Sequence, residues 1–169
     1  CHSATELRNL MVEKNHQPTT KARLVAGYCW KWNSKTDASA YDIVFPAEDF
    51  QMQWNLASDS SLWIMKEESI NQIGCIHTCQ GLEIDYVGVI IGPDLLIRDG
   101  KVVTDPSKRA SSDKSVFGWK KLMKEDPSRA AAELDLIIKN TYRTLMTRGM
   151  KGCYIFSDDE ETRDWFRGI

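Results

Sequence analysis

The chain has 169 residues, of which 42% are hydrophobic and 27% charged, and its formal net charge is -2. This length fits one domain with a full core, and the nearly balanced charge excludes a surface that is basic throughout. No apolar run approaches the ~20 residues that span a bilayer and the start lacks a signal-peptide pattern, so we expect a cytoplasmic protein with no membrane partner.

The first elements predict an α/β layer. Ser3 and Glu6 have the spacing of a capping box and begin a helix that ends near Asn15. A β-branched and apolar run over 22–28 then predicts a buried strand. A capped helix followed by a core strand is typical of an α/β sheet with helices on its faces.

Two aromatic residues close that first strand. Trp30 and Trp32 either cover the edge of the core or stack on a base or an arginine. The next stretch is predicted to form short elements, namely edge strands over 42–45 and 50–56 and a helix over 60–68.

The centre of the chain combines two apolar runs with a polar connection. Ile73–Ile76 and Tyr86–Ile91 predict two short buried strands. The connection between them, His77–Asp85, is rich in side chains that form hydrogen bonds. A polar segment held between two core strands is where an α/β protein usually places its chemistry.

The region after the second strand begins with a hairpin signal and then becomes basic. Asp99 and Gly100 between two apolar runs predict a two-residue hairpin turn. The segment 105–124 carries six basic and two acidic residues, with Phe117 and Trp119 among them. It is either a loop that contacts phosphates and bases or a solvated insertion held by one aromatic side chain.

The last third predicts a long helix, a strand and a short helix. Asp126 is placed as the N-cap of the long helix, and Gly149 as the residue that ends it. A strand over 151–156 follows, and Asp158 or Asp159 caps a final helix over 160–166. We expect Trp165 and Phe166 of that helix to pack onto the sheet.

The polar connection also contains two cysteines around a histidine. Cys75, His77 and Cys79 have no second cysteine pair to complete a zinc site, and Cys79 has already left the strand face that Cys75 and His77 share. The pattern favours reduced thiols, and we predict no metal site.

The same connection carries a recognisable motif. The spacing His77-x-x-Gln80-Gly81-x-Glu83-x-Asp85 resembles motif V of superfamily one helicases, and its context, GCIHTCQGLEIDYVGVIIG, is similar to the Schlafen-type DNA/RNA helicase domain family. The resemblance implies that Gln80, Gly81 and Glu83 face a nucleotide and that His77 and Thr78 face a nucleic-acid strand. The alternative for His77 and Thr78 is that they only stabilise a tight turn.

A second motif lies at the end of the long helix. Thr147 and Arg148, just before a strand, resemble motif VI of the same superfamily, which implies that Arg148 is a catalytic arginine finger on the γ-phosphate of ATP. A guanidinium suits this role because it is permanently charged and can bind two phosphate oxygens at once. The alternative is a cation that complements the dipole of the helix end.

The chain lacks parts that a complete motor needs. No G-x-x-x-x-G-K-[ST] sequence occurs, and the strand over 22–28 has Arg23 at its start rather than an arginine after its end. A second phosphate-sensing arginine is therefore not expected.

The resemblance implies an α/β fold of the RecA-like, P-loop NTPase type, with a mostly parallel sheet, flanking helices and no P-loop of its own. Residues 1–169 would be the single C-terminal RecA-like domain of a longer helicase-like ATPase. ATP and Mg²⁺ would bind only together with the N-terminal RecA-like domain of the same protein, single-stranded DNA or RNA would be the track, and the fragment alone would be inactive. The alternative is a non-catalytic α/β module that binds nucleic acid or protein.

Overall fold

The structure is a computed structural model that describes residues 1–55, 60–79, 81 and 83–168. It is a mixed α/β fold with a six-stranded sheet, helices on both faces and a separate two-stranded sheet. The helices are α1 (Ala4–Asn15), α2 (Ile76–Cys79), α3 (Trp119–Glu125), α4 (Pro127–Met146) and α5 (Glu160–Arg167). The strands are β1 (Ala22–Ala26), β2 (Ile43–Phe45), β3 (Phe50–Trp54), β4 (Gln72–Gly74), β5 (Ile84–Ile91), β6 (Leu95–Arg98), β7 (Lys101–Thr104) and β8 (Gly149–Ser157).

The large sheet has the strand order β2-β3-β4-β1-β5-β8. The β2–β3 pair is antiparallel and every other neighbouring pair in this sheet is parallel. The predicted mixed α/β architecture with a mostly parallel sheet is confirmed at this level. The parallel strands give the sheet an amino edge, where they begin, and a carboxyl edge, where they end.

The strand β5 divides the core into two layers because its side chains alternate between the faces. Ile90 packs with Leu7 and Met11 of α1 in one buried cluster. Val87 and Val89 pack with α4 in the other. Gly88 permits the close approach of α1, since a Cβ there would lie 2.9 Å from Met11 Cγ.

The predicted helix caps are confirmed. The Ser3 Oγ accepts a hydrogen bond of 2.9 Å from the amide of Glu6, and Asp126 Oδ1 accepts one of 3.0 Å from Arg129. For α5, Asp159 rather than Asp158 is the cap, and its Oδ1 accepts a 2.9 Å bond from the amide of Thr162. Each cap satisfies an amide that the helix itself leaves without an acceptor.

The predicted hairpin is also confirmed, as the strands β6 and β7. Its two turn residues, Asp99 and Gly100, have φ angles of 52° and 70°, as the tight hairpin turn requires. The hairpin forms its own sheet and is tied to α5, because the amide of Ile97 donates a 2.8 Å bond to Thr162 Oγ1.

Three expectations were wrong in detail. The strand predicted over Ile73–Ile76 ends at Gly74. The carbonyl of Cys75 accepts hydrogen bonds from the amides of Thr78 and Cys79, which form the first turn of α2. Gly149 does not end α4, whose C-cap is Thr147 at φ -85°; it begins β8 instead. Trp165 is 38% exposed, and of the two aromatics of α5 only Phe166 packs against the core.

The predicted helix over 60–68 is two 3-10 helices, Ser60–Met65 and Glu67–Asn71. Trp30 and Trp32 are half-buried against the core cluster, and the Trp30 ring lies 6.0 Å from that of Phe45. Both tryptophans therefore cover the core edge.

Candidate functional site

The connection between β4 and β5 runs from one edge of the sheet to the other. Gly74, at the end of β4, pairs with Val25 near the end of β1, so α2 begins at the carboxyl edge. Ile84 begins β5 at the amino edge, beside Gly149. The motif His77–Asp85 therefore places its first residues at the carboxyl edge and its last residues at the amino edge.

Arg148 lies beside the last part of this connection. The amide of Ile84 donates a 3.1 Å hydrogen bond to the carbonyl oxygen of Arg148. Ile84 and Gly149 are paired on the parallel strands β5 and β8. Glu83 and Arg148, the residues just before them, therefore lie side by side. The structure brings these two predicted site residues together at the amino edge.

The side chain of Arg148 turns back toward its helix. Its Nε donates a 3.1 Å hydrogen bond to the carbonyl of Thr144 in the last turn of α4, and the residue is half-buried. Burial raises the pKa of the neighbouring Cys79 thiol, whereas the positive charge of Arg148 acts on that thiol in the opposite direction. A carbonyl bond at a helix end is the geometry of the alternative interpretation, in which Arg148 complements the helix dipole.

The residues that the motif assigns to a nucleotide differ in how far the structure describes them. Gly81 is exposed with φ 77°, a conformation that favours glycine, and, apart from Gly81 itself and its two chain neighbours, no atom of the described residues lies within 4 Å of the position that a Cβ would take. Glu83 is exposed. Gln80 lies outside the described residues.

Sequence reasoning missed the residue that holds this edge together. Asp85 Oδ2 accepts a 2.8 Å bond from the amide of Lys21, and Oδ1 lies 2.7 Å from Lys151 Nζ. These bonds, the one from Lys151 first, lower the pKa of Asp85. Asp85 therefore joins the beginnings of β1, β5 and β8, and the motif's fixed spacing from Glu83 was the one signal that pointed to it.

His77 and Thr78, at the carboxyl edge, have different surroundings. Thr78 is half-buried, and its Oγ1 donates a 2.7 Å hydrogen bond to Asn55 Oδ1 after β3. The side chain of His77 is 52% exposed, with Nε2 3.6 Å from Asp113 Oδ1. Thr78 thus stabilises the turn, as its alternative interpretation held, while His77 presents an imidazole to solvent.

Behind His77 lies a buried ionic network that no sequence signal predicted. Arg109 Nη1 lies 2.9 Å from Asp94 Oδ2, and its Nε lies 2.5 Å from Asp113 Oδ2, with all three side chains fully buried. Tyr142 of α4 donates to Asp94 and accepts a 2.8 Å bond from the amide of Gly92. The network joins the predicted strand-binding region to α4, the helix that ends beside Arg148.

The ionisation of this network follows from its geometry. Burial lowers the pKa of Arg109, but the charges of Asp113 and Asp94 outweigh it and the net direction is upward. Burial likewise raises the pKa of Asp113, and Arg109 reverses this so that the pKa is lowered. Both groups are held in their charged forms.

Arg23 has no role at either edge. All its donors bind internal acceptors: Nε donates to Ser69 Oγ, Nη1 to Asn15 Oδ1 and a carbonyl, and Nη2 to two further carbonyls. Burial lowers its pKa.

The described residues contain neither a cluster of metal ligands nor a membrane-spanning helix. None of the His, Cys, Asp and Glu side chains in the described ranges form a group of three placed to hold a metal ion. No helix in the described part of the chain combines the length and apolar character needed to cross a membrane.

Comparisons with known proteins cover the whole of this region. The family model of the Schlafen group 3, DNA/RNA helicase domain matches residues 1–159. A Saccharomyces cerevisiae protein named Uncharacterized protein YPL245W is 25% identical over 119 residues, which are 69% of this chain and 25% of that protein. The chain therefore spans about a quarter of the length of this curated relative. No solved structure matches the chain.

Proposed function

Because this chain belongs to the Schlafen group 3 DNA/RNA helicase domain family, we propose that it is the second, RecA-like motor domain of a nucleic-acid-dependent ATPase. In this proposal a first domain of the same protein holds ATP and Mg²⁺ on its P-loop. The present domain supplies Arg148 to the γ-phosphate and Glu83 to the ribose, and it grips a single strand through His77. Thr78 supports the grip by holding the turn.

One observation carries the proposal, namely the adjacency of Glu83 and Arg148 at the amino edge. They come from two motifs far apart in the sequence, yet the bond from Ile84 to Arg148 holds their backbones side by side. An acceptor for ribose hydroxyls and a cation for phosphate are the two groups that a nucleotide-binding surface needs. Closure of this edge onto a nucleotide held by another domain would bring Glu83 to the ribose and Arg148 to the phosphates of the same nucleotide.

The guanidinium would have to leave its helix to act. Its Nε donates to the neutral Thr144 carbonyl at a half-buried site, and a triphosphate offers charged oxygens as stronger acceptors. Arginine fingers contribute about 10³–10⁵ in rate in phosphoryl-transfer enzymes, because they stabilise charge in the transition state.

The strand would lie at the opposite edge of the same sheet. His77 is exposed there, and its distance of 3.6 Å from Asp113 ties it to the buried network that reaches α4. Strand binding at one edge and nucleotide contact at the other would then be linked through one helix, which suits an enzyme that couples hydrolysis to movement along a strand.

The test is ATP hydrolysis by a longer protein that contains this domain together with its P-loop domain. We expect single-stranded DNA or RNA to raise the rate of hydrolysis. A protein that hydrolyses ATP at the same rate with and without a strand would contradict the proposed coupling.

A second candidate is a non-catalytic module that binds nucleic acid or protein. The internal positions of Arg23 and of the Arg148 Nε favour it, because neither group lies in an open site. A longer protein that binds a strand but never hydrolyses ATP would establish this candidate instead.

A further inference from the structure

The segment from Pro106 to Lys120 combines three features that the proposed function does not use. It contains an exposed aromatic ring, several exposed lysines and a buried guanidinium with one unsatisfied nitrogen. These features surround a single cavity.

Phe117 is the first feature. It is 88% exposed, more than any other large hydrophobic side chain in the described residues. The neighbouring Val116 is buried and packs with Ala130 and Leu134 of α4, so the backbone that carries Phe117 is fixed to the body of the domain. Exposure of an apolar ring to water is unfavourable in free energy, and the exposed ring offers a face for stacking.

The cavity beside Phe117 is the second feature. Its volume is about 310 Å³, and its lining includes Arg109, Asp113, Phe117, Trp119 and Lys120. Lys120 Nζ lies 5.8 Å from the centre of the Trp119 ring. Lys114 is also exposed on this segment, so an exposed lysine lies three residues to either side of Phe117 in the sequence.

Arg109 in the cavity wall is the third feature. Its Nη2 is buried and has no hydrogen-bond acceptor among the described residues, although Nη1 and Nε both do. An unpaired buried donor is costly, and an anionic oxygen would satisfy it only after a shift of the cavity wall, because the nitrogen is buried. Both oxygens of Asp113 already accept bonds, from Arg109 and from Ser115, so the hydrogen-bonding capacity of this carboxylate is used within the protein.

We propose that this segment is a second contact for single-stranded nucleic acid, in which a base stacks on Phe117 and the adjoining phosphates are held by Lys114 and Lys120. The proposal rests on the proposed function for its ligand and extends the track from His77, since Asp113 contacts His77 and also lines the cavity. Aromatic platforms flanked by cations bind single strands with little sequence preference.

The test is binding of a short fluorescein-labelled single-stranded oligonucleotide to the full chain, measured by fluorescence anisotropy. Phe117→Ala should weaken binding by about fivefold or more, because stacking on one aromatic ring contributes ~1–3 kcal/mol per base and 1.4 kcal/mol is tenfold. The matched control is Tyr41→Ala, an aromatic that is 45% exposed before the edge strand β2, and it should bind as the unaltered chain does. Equal affinity for Phe117→Ala and the unaltered chain would overturn the proposal.

A second measurement does not depend on affinity. An oligonucleotide that carries 5-iodouracil should form a photocrosslink to the peptide that contains Phe117. Crosslinks confined to other peptides would overturn the proposal, and so would competition by polyglutamate as effective as that by the unlabelled strand, because the surface would then bind any polyanion.

The two proposals fail in different ways. If His77→Ala weakens binding and Phe117→Ala does not, the second contact is wrong and the motor proposal is unaffected. If Phe117→Ala weakens binding but the longer protein never hydrolyses ATP, the second contact stands and the motor proposal is wrong.

Discussion

The amide of Ile84 donates a hydrogen bond to the carbonyl oxygen of Arg148 over 3.1 Å. This bond is the first backbone hydrogen bond between β5 and β8, and it holds the backbone of Glu83 next to that of Arg148. The two residues share an edge of the sheet because their strands are parallel neighbours, so a single ligand at that edge can meet both.

Replacement of Arg109 by alanine should destabilise the fold severely. It leaves the carboxylates of Asp94 and Asp113 buried without their cation, which typically costs about 3–5 kcal/mol in the free energy of unfolding. Urea denaturation measures this loss. The matched control, Arg129→Ala, removes an exposed ion pair with Glu133 and should cost no more than about 1 kcal/mol. Similar losses in the two variants would contradict a buried network.

Removal of one hydroxyl should also be costly. Tyr142→Phe takes away the donor to Asp94 and the acceptor for the amide of Gly92, and both groups are buried. We expect a loss of about 1–3 kcal/mol in the free energy of unfolding. Tyr154→Phe is the control, because the Tyr154 hydroxyl has no described hydrogen bond and that side chain is half-buried. If the two phenylalanine variants are equally stable, the hydroxyl of Tyr142 does not hold the network.

The stability of the domain should depend on pH through Asp159. The hydrogen bonds from Arg98, and then those from Thr162, hold the pKa of this carboxyl far below its ordinary value. The unfolded chain therefore binds the proton more readily, so this stabilisation is present above about pH 5, begins to fall near the ordinary aspartate pKa of ~3.9 and is lost completely only below the lowered pKa of the folded state.

The variant Asp159→Asn isolates this titration, because asparagine is also a good N-cap but carries no charge. The free energy of unfolding should fall less between pH 5 and pH 3 in Asp159→Asn than in the unaltered chain. Parallel pH profiles for Asp159→Asn and the unaltered chain would show that the Arg98 pair does not contribute.

The sequence predicted the local elements of the fold well because their signals are local. Helix caps at Ser3 and Asp126 and the turn at Asp99 and Gly100 each depend on residues within a few positions. Gly149 was misassigned because a glycine after a helix permits a left-handed cap without requiring one, and here the backbone of Thr147 closes the helix. The middle of the chain has weaker local signals, and the one helix predicted there is two short 3-10 helices in the structure.

The candidate site was predictable only where a motif named it. The sequence order of the two motifs placed Glu83 and Arg148 in one domain, but their adjacency depends on the β5–β8 pairing, which no single motif states. Arg109 looks like one more cation in a basic segment. Its neighbours along the chain do not reveal that it is buried and paired with Asp94. Long-range burial of this kind requires the tertiary structure.

The rate of ATP hydrolysis by Arg148→Ala, in the longer protein with a single strand present, tests the central claim most directly. Arg143→Ala is the matched control, because Arg143 is an exposed cation in the last turn of the same helix and complements the same dipole. We predict that kcat falls by about 10³-fold or more in Arg148→Ala and by no more than a few-fold in Arg143→Ala. Equal values of kcat in the two variants would contradict the claim that Arg148 acts on the nucleotide and would leave it as a cation at a helix end.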